Sequence, residues 1–128
     1  MSSRVEDLEP ITREMCLAFL DDVKDSGHNI RVTHTLRTMD EQAHLYAKGR
    51  TLGGSIVTNA KPGDSPHNWG CAFDICFAGL EPFSDQHPWQ GVGAIGKSCG
   101  LVWGGDFKSI VDRPHFERPD WRVVREAA

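Results

Sequence analysis

The chain has 128 residues, which suits one domain of the usual size of about 100–150. A hydrophobic share of 39% against 25% charged residues is enough for one modest core without disulfides or a partner. The formal charge of −4 excludes the basic face of a nucleic-acid binder and a simple electrostatic anchor to anionic membranes or wall polymers.

The opening stretch, MSSRVEDLEP, is charged and has no apolar run. This predicts synthesis without a secretory signal peptide, in a cytoplasm where thiols stay reduced. No stretch approaches the ~20 apolar residues of a membrane span, so no membrane anchor is expected. Cys16, Cys71, Cys76 and Cys99 form no CxxC pair and read as free, buried small hydrophobes.

Residues 10–26 read as an amphipathic helix, with Ile11, Met15 and Phe19 on one face and Cys16, Leu20 and Val23 beside them. Pro10 suits its first turn, Lys24 its last, and Gly27 its stop. Over 30–36 the period changes to two. Ile30, Val32, His34 and Leu36 alternate with polar residues, as in a half-buried strand with His34 in the core. A second helix is expected over 39–48, with Thr38 and Glu41 at capping-box spacing and Gly49 at its end. Residues 49–66 read as loop around a short strand near Ile56 and Val57. Residues 71–77 form a strand between Gly70 and Gly79, and Pro88 to Cys99 a short, glycine-weakened helix. Extended pieces near 101–103 and 114–118 precede a C-terminal helix from about Pro119. No repeat or linker interrupts the chain. The order predicts an α+β fold, a small mainly antiparallel sheet with packed helices, as a single domain over 1–128.

Two segments carry chemistry. In the strand 71–77, Ala72, Asp74 and Cys76 point to one face and Phe73, Ile75 and Phe77 to the other. An aspartate in an apolar strand is costly unless its charge is compensated, by backbone amides or by a metal ion. His67 lies on the loop entering that strand, and Pro114 places Asp112 and His115 on a loop-to-strand element. Together His67, Asp74 and His115 supply two imidazoles and one carboxylate. Catalytic zinc takes three such ligands and keeps a fourth position for water. Manganese, cobalt and nickel also suit these ligand types, and no spacing rule makes the three a metal site. The residues alone point to a candidate metal hydrolase.

The string S-x-H-x-x-G-x-A-x-D from Ser65 to Asp74 resembles the signature of the zinc D-Ala-D-Ala carboxypeptidase and endolysin peptidase family, the VanY-like M15 peptidases. Asp112 and His115 match its second element, an acidic residue three before a histidine. Leu101 to Phe107 (LVWGGDF) is similar to the form in phage L-alanyl-D-glutamate endopeptidases. Arg37-Thr38, Glu41-Gln42, Leu45-Tyr46 and Gly49-Arg50 resemble the family's arginine-bearing helix start. These elements run in family order from about residue 31 to 117; the family's tyrosine before the arginine is Leu36 here.

The resemblance implies His67, Asp74 and His115 as Zn2+ ligands, Asp112 as general base and acid, and Arg37 as the oxyanion's partner. It further implies that Ser65 and Gln42 place the substrate, that Trp103 walls the site, and that the fold is the one shared with the hedgehog signalling domain. The activity implied is phage endolysin-type cleavage of the L-Ala-D-Glu bond in the peptidoglycan stem peptide. The enzyme would be a monomer released to the wall through holin-made holes. A D,D- or L,D-carboxypeptidase removing terminal D-alanine would use the same metal chemistry. A non-catalytic zinc-binding module is disfavoured, because a binder needs neither Asp112 nor Arg37.

Overall fold

A computed structural model describes residues 1–128. Helix α1 spans Pro10–Asp25, with Pro10 in its first turn. The Glu9 carboxylate caps it by accepting from the backbone N–H groups of Ile11 and Thr12, and from the Thr12 hydroxyl. Its buried face is Thr12, Cys16, Phe19 and Val23. Ile11, expected on that face, is 51% exposed. Seven residues make close to two turns, so Thr12 lies in line with Phe19 and Ile11 does not.

Four strands follow as one sheet: β1 (Ile30–His34), β2 (Ala72–Phe77), β3 (Val102–Trp103) and β4 (His115–Glu117). Their order is β1-β2-β4-β3 and every neighbouring pair is antiparallel. The α+β architecture with a small antiparallel sheet is as expected. Strand β2 alternates as expected too. Phe73, Ile75 and Phe77 enter the core with Phe19, Trp103 and Phe116, and the Phe73 and Phe116 rings stack with centroids 5.7 Å apart.

Helix α2 (Met39–Ala47) carries the capping box of Thr38 and Glu41 in full. Helix α3 (Trp89–Ser98) packs against α1 and β3, and Gly93 and Gly96 lie on its contact surface with Trp89 and Val92. A Cβ on Gly93 would lie 2.4 Å from the Trp103 ring, and one on Gly96 2.4 Å from the Phe116 ring. Helix α4 (Trp121–Ala127) packs on the turn at Pro66–Trp69.

One local expectation fails. No strand forms at Ile56 and Val57, which are 51% and 48% exposed, because no neighbouring strand runs beside them. Side chains hold that segment instead, Arg50 donating to the Thr58 carbonyl at 3.0 Å and Gln42 to the Ala60 carbonyl at 2.8 Å. His87 is half-buried, its ring stacked 4.4 Å from that of Phe77. All four cysteines are free, three of them buried. No helix is long and apolar enough to cross a membrane.

Candidate active site

The site grows from Asp74, on the face of β2 opposite the phenylalanines. Antiparallel pairing with β4 sets Asp74 directly across from His115. The 3-10 turn Pro66–Trp69 carries His67, its backbone N–H donating to the Ser65 hydroxyl at 3.3 Å. A register shift in β1 between Val32 and His34 brings His34 opposite the same aspartate. Asp74 is therefore ringed by three imidazoles. Its Oδ1 lies 3.3 Å from His67 Nε2 and 3.2 Å from His115 Nδ1, and its Oδ2 lies 3.4 Å from His34 Nδ1. His34 is thus a neighbour of the site and no core residue.

Burial pushes the Asp74 carboxyl up, but the three histidines around it, His67 foremost, outweigh that and hold it well below the usual carboxylate range. His115 shows the converse. Burial pushes its imidazole down, and Asp74 and Glu117 together raise it to about 10.

The donor atoms of His67, Asp74 and His115 lie within 4.8 Å of one another. His67 Nδ1 donates to the Thr35 carbonyl at 2.7 Å, which leaves Nε2 as the lone-pair nitrogen. That Nε2 is buried and has no hydrogen bond. An orphaned buried polar atom calls for an explanation, and a metal ion supplies one. Two imidazoles and a carboxylate converging on one point fit zinc.

A groove of about 730 Å³ opens over these residues, lined in part by Arg37, Ser65, His67, Asp112, His115 and Glu117. Asp112 is half-buried, its Oδ2 4.0 Å from His115 Nδ1. Burial pushes its carboxyl up and Asp74 adds to the rise, against the pull of His115, His67 and Arg37; the net shift is upward. Its backbone N–H donates to the Gly104 carbonyl at 2.9 Å. A Cβ at position 104 would lie 2.2 Å from the Asp112 carbonyl oxygen, so the glycine lets the Asp112 loop close on the sheet.

Arg37 donates to Gln42 Oε1 at 2.8 Å. Burial pushes the Arg37 guanidinium down while Asp74, Asp112 and Glu41 oppose that shift. A guanidinium nonetheless stays charged in proteins. Gln42 is 0% exposed and spends its amide on Arg37 and the Ala60 carbonyl. It stands behind Arg37 and does not face the groove, contrary to its expected contact with substrate. Trp103, expected as pocket wall, is 1% exposed in the core, its indole N–H donating to the Arg113 carbonyl at 2.8 Å. Its bulk fills the space under α3, and the aromatic walls are Phe107 and Trp121.

Sequence reading missed His34 and Glu117 at the site. A bulge such as that in β1 leaves no mark on the hydrophobic pattern. Glu117 did carry a signal, since two residues along a strand from His115 it shares the same face.

A family model described as D-alanyl-D-alanine carboxypeptidase, of the M15_4 peptidases, matches residues 58–118. The chain is 35% identical over 122 residues to the peptidoglycan L-alanyl-D-glutamate endopeptidase CwlK of Bacillus subtilis (strain 168), covering 87% of this chain and 73% of that one. Among solved structures it resembles the L-Ala D-Glu endopeptidase ChiX of Serratia marcescens. That match has a TM-score of 0.67 and 17% identity, and covers 94% of this chain and 86% of that one. It also resembles a vancomycin-resistance D,D-pentapeptidase, VanY, in complex with Zn(II). There the TM-score is 0.68 at 14% identity, over 93% of this chain and 76% of that one.

Proposed function

The chain belongs to the M15 peptidase family and is a peptidoglycan-hydrolysing metallopeptidase, and on that premise we propose that it is a zinc endopeptidase cutting the L-Ala-D-Glu bond of the stem peptide. The observation that carries the metal reading is the orphaned Nε2 of His67, buried beside Asp74 and His115 at the floor of the groove. His67, Asp74 and His115 would hold the ion. When bound, zinc supplies Lewis acidity, enough to bring the pKa of a water to about 7.

The chain's own residues supply the rest. Asp112 Oδ2 takes a proton from the attacking water and returns it to the departing amine, a role worth roughly 10²–10⁴ in rate. Arg37, held in place by Gln42, faces the negative charge that develops on the scissile carbonyl oxygen. Ser65 fixes the turn that aims His67.

Cleavage at L-Ala-D-Glu is supported by the 35% identity to CwlK and by the similarity of residues 101–107 to phage endopeptidases. That second similarity is also the support for an endolysin-type role in host lysis. A carboxypeptidase trimming terminal D-alanine is the second reading, favoured by the description of the matching family model. Mass spectrometry of products from purified peptidoglycan, with and without a chelator, separates the two. New fragments with a free D-glutamate amine, lost under chelation, are the expected result. Release of D-alanine alone would overturn the endopeptidase reading.

A further inference from the structure

We infer that Glu117 is a positioning residue that holds the His115 ring by Nε2 so that Nδ1 is the nitrogen offered to the metal. The inference rests on the zinc reading above and goes beyond the ligand set. His115 Nε2 lies 2.8 Å from Glu117 Oε1, while Nδ1 lies 3.2 Å from Asp74 Oδ1. An imidazole that gives one nitrogen to a metal keeps a single N–H, and the acceptor of that N–H fixes which nitrogen is left. Here the acceptor on the Nε2 side is a carboxylate.

The backbone makes this contact rigid. Residues 115 and 117 are alternate positions of β4, which is hydrogen-bonded on both sides, Glu117 pairing with Ala72 of β2 and Val102 of β3. The two side chains are 7% and 14% exposed. No other charged group competes for Glu117. Its neighbour Arg118 turns away to Glu9 and Asp120, and His115 is the only cation within 4.0 Å of Glu117. A carboxylate covered to this degree is costly unless its charge is used.

His67 is held in the opposite sense. Its Nδ1–H goes to the Thr35 carbonyl, leaving Nε2 toward the site. The two rings thus meet at the metal position through different nitrogens, one braced by a neutral acceptor and one by an anionic one. An anionic acceptor makes the imidazole the better metal donor.

The test is zinc affinity, measured by chelator competition on the folded protein, for wild type, Glu117→Gln and Glu117→Ala. The alanine variant should bind zinc roughly 10–100-fold more weakly, the usual effect of losing such a partner. The isosteric glutamine keeps an acceptor and loses the charge, so it should fall between. Nitrogen NMR of the zinc-loaded, histidine-labelled protein reads the ring directly. His115 should show a slowly exchanging Nε2–H that Glu117→Ala loses, with the His67 signals unmoved.

Wild-type affinity in both variants, or a zinc-bound Nε2 on His115, would overturn the role of Glu117 and leave the zinc reading intact. A wild-type protein that takes up no zinc at His67 and His115 would instead sink the zinc reading itself.

Discussion

At the scale of single residues, the site depends on who stands behind whom. Asp112 is close to the proposed metal ligands without joining their cluster. Asp112→Ala should therefore lose turnover by at least the roughly 10²-fold of a general base while keeping its zinc. Metal content measured beside peptidase rate decides this, and loss of zinc would make Asp112 a ligand instead. Gln42 acts one step further back. It joins Arg37 to the Ala60 carbonyl from a fully buried position. A hydrogen bond to a charged group contributes about 1.5–3 kcal/mol. Gln42→Ala should thus reduce kcat by about tenfold or more with zinc affinity unchanged, which steady-state kinetics and a metal titration would show together. The sequence names Gln42 through its place in the arginine-bearing helix, but only its burial distinguishes a brace from a substrate contact.

At the scale of elements, caps and close contacts set the frame. The Glu9 carboxylate caps α1 and pairs with Arg118. Partial burial pushes it up, but hydrogen bonds from the Thr12 hydroxyl, the N–H groups of Thr12 and Ile11, and Arg118 outweigh that and leave it below 4.5. A lowered carboxyl contributes stability that is complete above its unfolded pKa and fades as pH falls through the folded one. Glu9→Gln should therefore cost about 1 kcal/mol at neutral pH, with the gap to wild type closing below about pH 4.5 in denaturant titrations. Helix α3 gives the opposite lesson on propensity. Alanine normally stabilises a helix over glycine by about 1 kcal/mol. At Gly93 the added methyl would sit 2.4 Å from the Trp103 ring, and overpacking of that kind costs about 1–3 kcal/mol. Gly93→Ala should lower the thermal midpoint, and a rise would mean that the α3 interface is looser than these contacts imply.

At the scale of the whole molecule, the proposed metal site joins β2, β4 and the turn at Pro66–Trp69, so ion binding should stabilise the entire fold. Zinc at a hundred times its Kd adds about 2.7 kcal/mol, a rise of roughly 10 °C in Tm for a chain of this length. Calorimetry should show that rise in the wild type and its absence in His67→Ala. The three candidate ligands were named through the family resemblance. The sequence by itself determined the two helices, expected over 10–26 and 39–48 and found at 10–25 and 39–47, and the alternation of β2 with its aspartate. Local physics suffices there: caps, period and the cost of a charge in an apolar strand act between near neighbours. The phase of α1, the fate of Ile56 and Val57, the burial of Gln42 and Trp103, and the arrival of His34 at the site were decided by tertiary structure alone, and the alternation that pairs Glu117 with His115 reached Asp74 only through strand pairing. Each depends on how segments distant in sequence meet: Phe19 against the sheet, a missing neighbour strand, the Ala60 carbonyl beside Gln42, α3 over Trp103, the shifted register of β1 on β2, or β4 beside β2. A side-chain pattern shows which way a residue faces; what it faces is set only when the strands pair and the helices pack.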